Sequence, residues 1–255
     1  MTKIIGFLGR KQSGKNTCSN MMHGFELQKR EMIRDFKIED TGKLAILTEN
    51  AAGQVGWGEF DVTRKDDDFA QWAHMNMWPF IKNYAFADEL KRMAIDLFDV
   101  PPECVFGTDQ QKNQAQEHLR WENMPGMFDE QKRQKWSGSM TAREFMQFFG
   151  SEIMRKMHGL VWINKTLRQI SMEQSAIAII SDVRFPNEAE AIKLAGGIIV
   201  KLNRKQKTKD LHQSEEGVDL VDASMIDYNI QNNKKGYDLD SLQSNIKQIY
   251  DTIIL

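Results

Sequence analysis

Apolar and polar residues alternate along this chain with two periods, and the switches between them mark out the expected elements. Lys3–Leu8 (KIIGFL) is a nearly unbroken apolar run, the pattern of a strand buried on both faces. A glycine-containing turn follows, and from Lys15 to about Gln28 the residues Cys18, Met21, Met22 and Phe25 recur at helical spacing. Residues 30–83 change character and read as an insertion. FKIEDTGKLAIL predicts two short strands around a Thr-Gly turn, AAGQVGWGEFDV is glycine-rich, and DDDFAQWAHMNMWPFIK predicts a helix ending near Pro79.

Helical period returns at FADELKRMAIDLF, where Phe86, Leu90, Met93, Ala94 and Leu97 share a face and Pro101-Pro102 ends the helix. Residues 103–139 read as polar and loop-like around Trp121 and Trp136. Thr141 and Glu144 have capping-box spacing and open a helix with Ala142, Phe145, Phe149 and Ile153 as its buried stripe. Another helix is expected around Trp162 to Ile170. AIAIISDVRF is a second buried strand, Asn187 to Ala195 a short helix closed by Gly196-Gly197, and IIVKL a third strand. An edge strand near Tyr228 to Gln231 precedes a last helix with Leu239, Leu242, Ile246, Ile249 and Ile253 on one face. Apolar strands alternating with amphipathic helices predict an α/β fold, a mostly parallel sheet with helices on both faces.

Composition narrows the partners. The 255 residues carry 34 basic and 36 acidic side chains, so no global field draws in nucleic acid or an anionic membrane, and neither is expected as a partner. Any anion must be attracted by a local site. Cys18 and Cys104 cannot form a zinc site alone, and the five histidines are scattered. A pair of free thiols in a reducing cytoplasm is expected, one disulfide being the alternative. No run approaches the roughly 20 apolar residues of a membrane span, and the amino-terminal run is too short for a signal-peptide core.

The sharpest motif is Gly9-Arg10-Lys11-Gln12-Ser13-Gly14-Lys15, with the G-x-x-x-x-G-K spacing of a phosphate loop, placed after a buried strand and before a helix. Glycines let backbone N–H groups turn inward around a phosphate while the helix presents its positive end. Gly9, Lys11, Ser13, Gly14, Lys15, Asn16 and Thr17 are the expected ATP-binding residues, with Lys15 reaching the β and γ phosphates. The residue after the lysine is ordinarily Ser or Thr, whose hydroxyl binds Mg²⁺; Asn16 stands there, with Thr17 next. The bland alternative is a chance match in a glycine turn.

Further clusters end core elements, where a parallel sheet places its ligands. Lys91 lies off the apolar stripe of its helix and faces either a phosphate or solvent beside Asp88 and Glu89. Arg143, Gln147 and Gly150 recur at steps of four and three. They suit forked phosphate contact, an amide hydrogen bond and close ligand approach, or else an ordinary polar face. Asp182 and Arg184 end the AIAIISDVRF strand, where an acid holds Mg²⁺ through water and an arginine neutralises migrating phosphate; a structural ion pair is the alternative. Lys201 to Lys209 holds five basic residues and no acid, a solvated face or a basic loop over a triphosphate, with His212, Ser214 and Glu215 to fix it. His212 as a catalytic base is the other reading.

Together these pieces resemble the deoxynucleoside monophosphate kinases of tailed bacteriophages, in the P-loop nucleoside monophosphate kinase group. GRKQSGKNT, ADELK, the segment Arg143 to Gly150, DVRFPNE and the late basic loop with HQSE carry the resemblance. It implies one P-loop kinase domain over residues 1–255, with 30–83 inserted, 103–139 on the substrate side and 201–217 a basic lid. It implies transfer of the γ-phosphoryl of ATP to a deoxynucleoside 5′-monophosphate, with ATP and Mg²⁺ as cofactors, in a host-cell cytoplasm, and it suggests a homodimer. The catalytic residues would be Lys15, Asp182, Arg184 and Arg204. Lys91, Arg143, Gln147 and Gly150 would hold the acceptor, and Asn16 and Asp182 the metal, mostly through water. A P-loop kinase for another phosphate ester, of the phosphomevalonate or dephospho-coenzyme A type, is the rival, and a nucleotide-binding ATPase without kinase activity the second.

Overall fold

A computed structural model describes residues 2–49, 53–64, 66–127, 136–204, 217–232 and 239–254. In chain order, β1 (Lys3–Leu8) leads into α1 (Lys15–Lys29), followed by β2 (Asp35–Ile38), β3 (Leu44–Glu49), β4 (Val55–Glu59) and α2 (Asp67–Asn76). Then come β5 (Ile81–Tyr84), α3 (Asp88–Phe98), α4 (Pro102–Phe106), α5 (Asp109–Lys112), β6 (Ala115–Arg120) and β7 (Ser139–Thr141). α6 (Ala142–Gln147) runs into a π-helical segment (Phe148–Arg155), after which come α7 (Val161–Glu173) and β8 (Ile177–Val183). α8 (Pro186–Leu194), β9 (Ile198–Asn203), β10 (Tyr228–Gln231) and α9 (Leu239–Ile254) complete the chain.

The chain divides into two compact units, Met1–Ala85 with Thr166–Leu255, and Phe86–Lys165. The boundary isolates the segment from α3 to the start of α7. The first unit is α/β, a parallel sheet flanked by helices. Its five-stranded sheet runs β10-β9-β1-β8-β5, all parallel, with β1 and β8 interior, which is why those strands are nearly continuous apolar runs. Ile5, Phe7, Met21, Met22, Ile179, Val200, Ile246 and Ile249 join β1, β8 and β9 to α1 and α9 in one core. α8 lies at Gly6, where a Cβ would sit 2.8 Å from Ile192 Cδ1, so the missing side chain sets how closely that helix approaches.

Several expectations shift. The segment 30–83 does form the two predicted strands, but Val55–Glu59 adds a third, in an antiparallel sheet β2-β3-β4. Phe36 of β2 meets Phe25 of α1 edge-on at 5.0 Å and lies over Gly24. Ile81–Tyr84, whose first three residues fall within the expected insertion, is the β5 edge of the main sheet, paired in parallel with β8; its mixed IKNY pattern hid it. Within the second unit, residues 103–139 are not simply loop: α4, α5, β6 and β7 lie there, with Pro102 at the start of α4 rather than closing α3. Leu97 is 65% exposed; α3 instead buries Ala94 and packs Ile95 and Phe98 on the core of Val105, Met140, Phe145 and Phe148. Of the predicted lid, 201–203 belong to β9 and 205–216, with His212, Ser214 and Glu215, lie outside the described residues. Among the described residues, no helix is long and apolar enough to cross a membrane.

Candidate functional site

Parallel strands all point their carboxyl ends one way, so the loop after β1 opens at the same sheet edge as the ends of β8, β9 and β10. The loop's path is set by backbone. Gln12 and Gly14 have φ of 60° and 103°, flanking Ser13, the alternation of handedness from which backbone anion nests are built, and the Ser13 N–H donates to the Arg10 carbonyl at 3.2 Å. A left-handed Gln12 costs about 1 kcal/mol. Gly9 cannot be larger, since a Cβ would lie 2.5 Å from Ser13 Oγ and 2.9 Å from the Leu202 carbonyl. Gly14 is the N-cap of α1 and supplies no capping side chain, which leaves the positive helix end to an incoming anion.

Lys15 is buried, and its Nζ donates to the Gly9 carbonyl at 2.5 Å and the Arg10 carbonyl at 2.7 Å. Ser13 is 1% exposed, and its Oγ has no hydrogen-bond partner among the described residues. A buried orphan hydroxyl, a buried ammonium and a helix N-terminus converge here, a donor set that fits a phosphate chain. Lys11 is half-buried in the same loop. Thr17 is buried with Gly42 of the β2–β3 turn over its Oγ1, while Asn16 is exposed on the same first turn. Cys18 is buried one turn further; burial pushes its thiol pKa up despite the charge of Lys15, so it is no nucleophile. Neither cysteine is bonded to another.

Asp182 and Arg184 end β8 beside the loop, where the Gly9 N–H donates to the Val183 carbonyl at 3.4 Å. Asp182 is half-buried, and its carboxylate, like the Asn16 amide oxygen, is the hard donor type that Mg²⁺ takes. Arg204, just after β9, donates from Nη1 to the Gln12 carbonyl at 3.2 Å, so the structure brings this distant residue onto the loop.

Residues that sequence reasoning missed hold these groups in place. Glu188, 1% exposed, accepts the Arg184 and Phe185 N–H groups at 2.8 and 3.1 Å, fixing the turn that carries Arg184. It was visible as the last letter of DVRFPNE. Gly217 packs where a Cβ would meet the Arg184 carbonyl at 2.8 Å, and Asp219 pairs with Arg10. Asn232 donates from Nδ2 to the Ser13 carbonyl at 3.1 Å, with no sequence signal.

The second unit holds the other predicted residues. Lys91 on α3 lies 3.6 Å from Asp88 and 5.2 Å over the Phe106 ring. Arg143 on α6 pairs with Asp109 at 2.6 Å. Gln147 is exposed, and the helix becomes π-helical just after it. The wider i→i+5 turn advances less per residue, so Gly150 leaves the Arg143–Gln147 stripe for the interior. There its Cβ would lie 2.7 Å from Leu90 Cδ2, and its carbonyl accepts Trp162 Nε1–H at 3.2 Å. Helix packing accounts for this glycine without a ligand.

Comparison with known proteins bears on this arrangement. Residues 81–246 match the family model of deoxynucleotide monophosphate kinases. A protein of Acanthamoeba polyphaga mimivirus, provisionally named a deoxynucleotide monophosphate kinase, is 31% identical over 167 residues, covering 59% of this chain and 74% of its own. The deoxynucleoside-5′-monophosphate kinase of Escherichia phage T5 is 28% identical over 88 residues, 31% of this chain and 35% of its own. The matched span begins at β5, so the phosphate loop stands on its own geometry.

Proposed function

The chain belongs to the deoxynucleotide monophosphate kinase family, and from that premise we propose that it transfers the γ-phosphoryl group of ATP to a deoxynucleoside 5′-monophosphate. The observation that carries the donor half is the loop itself, with a buried lysine, an orphan buried hydroxyl and alternating positive φ at the end of an interior parallel strand. Gly9, Lys11, Ser13 and Gly14 cradle the triphosphate, Lys15 neutralises its β and γ oxygens, and Asn16 and Asp182 would hold Mg²⁺, which would supply further countercharge to the phosphates.

In the transfer, the bond from Pγ to the β-phosphate bridging oxygen breaks and a bond forms from Pγ to a terminal oxygen of the monophosphate. ADP leaves and a deoxynucleoside diphosphate forms. The attacking oxygen belongs to an already ionised phosphate, so no general base is needed. What the chain must supply is alignment and countercharge: Arg184 and Arg204 at the migrating group, and Lys91, Arg143 and Gln147 on the acceptor.

The test is ADP release with ATP, Mg²⁺ and each deoxynucleoside monophosphate in turn, on the intact chain and on Arg143→Ala. Acceptor-dependent ADP release is expected. Arg143→Ala should raise KM for the monophosphate by about tenfold to a hundredfold, the range of a charge-assisted hydrogen bond, and leave ATP affinity near its original value. ADP release without acceptor dependence would leave an ATPase instead.

A further inference from the structure

We propose that Asn232 is a positioning residue for the phosphate loop, acting through the Ser13–Gly14 peptide. It rests on reading Gly9–Lys15 as a phosphate cradle. The Ser13 carbonyl can only accept, so the side-chain atom 3.1 Å from it is the amide nitrogen of Asn232. In a trans peptide the C=O and the next N–H point in opposite directions. Holding the Ser13 carbonyl toward Asn232 therefore aims the Gly14 N–H away from it, into the concave side of the loop. This peptide can turn because its second residue is Gly14, at φ 103°, where no Cβ restricts the backbone.

Asn232 is itself held. Its own N–H donates to the Asn203 carbonyl at 2.7 Å, and the Asn203 side chain bonds that of Asn229 on β10. The ends of β9 and β10 thus form an asparagine bracket. One strand sends Arg204 to the Gln12 carbonyl and the other sends Asn232 to the Ser13 carbonyl. Two successive loop carbonyls are pulled outward by donors from neighbouring strands, and β10, which carries no residue of the loop motif, thereby shapes the anion site.

The substitution that isolates donation from bulk is Asn232→Asp, which keeps the shape and replaces the donor by a carboxylate facing the carbonyl. Inorganic tripolyphosphate, which lacks a base and a sugar, and ATP are titrated calorimetrically into the intact chain, Asn232→Ala and Asn232→Asp. Loss of the hydrogen bond in the alanine variant should weaken tripolyphosphate by about three- to tenfold, and the repulsive aspartate should weaken it by about a further tenfold. Binding of the four deoxynucleoside monophosphates should not change. A purely structural role for Asn232 predicts the reverse ranking, since Asp preserves packing better than Ala, together with equal losses for donor and acceptor. Asp binding as tightly as Ala or better overturns the proposal, and so does an alanine variant equal to the original chain. Should the original chain itself fail to bind tripolyphosphate and ATP, it is the cradle reading that falls.

Discussion

The phosphate loop and the α3–α6 face handle charge in opposite ways. At the loop, Lys15 is buried and bonded to neutral carbonyls, and the carbonyls of Gln12 and Ser13 are satisfied by Arg204 and Asn232. On α3 and α6, Lys91 and Arg143 are half-exposed and each faces a carboxylate, Asp88 and Asp109. A phosphate arriving at the loop competes with dipoles, whereas one arriving at α6 must displace an acid. A site assembled from backbone is preorganised before its ligand comes, and one assembled from long side chains must be rearranged by it.

The comparison is tested most severely at Lys15. Lys15→Ala should lower kcat/KM by about a hundred- to a thousandfold, the cost of one preorganised donor at a developing charge. Steady-state assays with ATP varied at saturating acceptor read it. A drop of tenfold or less would mean that the loop works without its buried cation, and the contrast between the regions would collapse.

The loop's helix should also be the acid-sensitive part of the molecule. His23 on α1 is fully buried, with Nδ1 2.8 Å from the Ser19 carbonyl and no partner on Nε2 among the described residues. Burial holds its pKa down to about 4, against the upward pull of the Ser19 carbonyl and Glu26. The folded chain keeps this ring neutral while the unfolded chain protonates it near its ordinary pKa of about 6.5. Stability should therefore fall as pH drops from about 6.5 to about 4 and level off below, by about 3 kcal/mol in all. Denaturant unfolding at stepped pH checks this, and His23→Met should flatten that stretch of the curve. Parallel curves for the two proteins would remove His23 as the cause.

What was legible in the sequence follows from the same contrast. The loop could be read because its contiguous residues answer to backbone geometry, and β1 and β8 because interior parallel strands are apolar on both faces. Asn232 could not, because it reaches Ser13 from 219 residues away and its type is ordinary after an edge strand. The short β4 and β5 have exposed or mixed positions and thus no run to detect. α4 and α5 are too short to show a period. In α6 an α-helical period was carried one turn too far: the π-helical segment buries Phe148 and Gly150, whereas the α period selects Phe149.

Gly150 turns that last point into an experiment. Gly150→Ala places a methyl 2.7 Å from Leu90 Cδ2, the far end of a flexible side chain, so overpacking of about 1–3 kcal/mol is expected. Thermal unfolding should show the loss, and adding Leu90→Ala should recover part of it if the two sites are coupled through this contact. A variant with unchanged stability and a raised acceptor KM would instead return Gly150 to the ligand and restore the sequence expectation.

The smallest effect is the most pointed. Asp109 is 57% exposed at its side chain and Arg143 30%, so their pair is a surface ion pair, worth little to the fold. If Asp109 occupies the arginine fork that a phosphate would take, Asp109→Asn should lower KM for the monophosphate by about two- to fivefold at low salt, the scale of such a pair. The gain should shrink as added salt screens the carboxylate, and KM for ATP should not move. A raised acceptor KM would show that Asp109 orients Arg143 instead of competing for it. In that case the acceptor face would be as preorganised as the loop, built by an acid in place of a backbone.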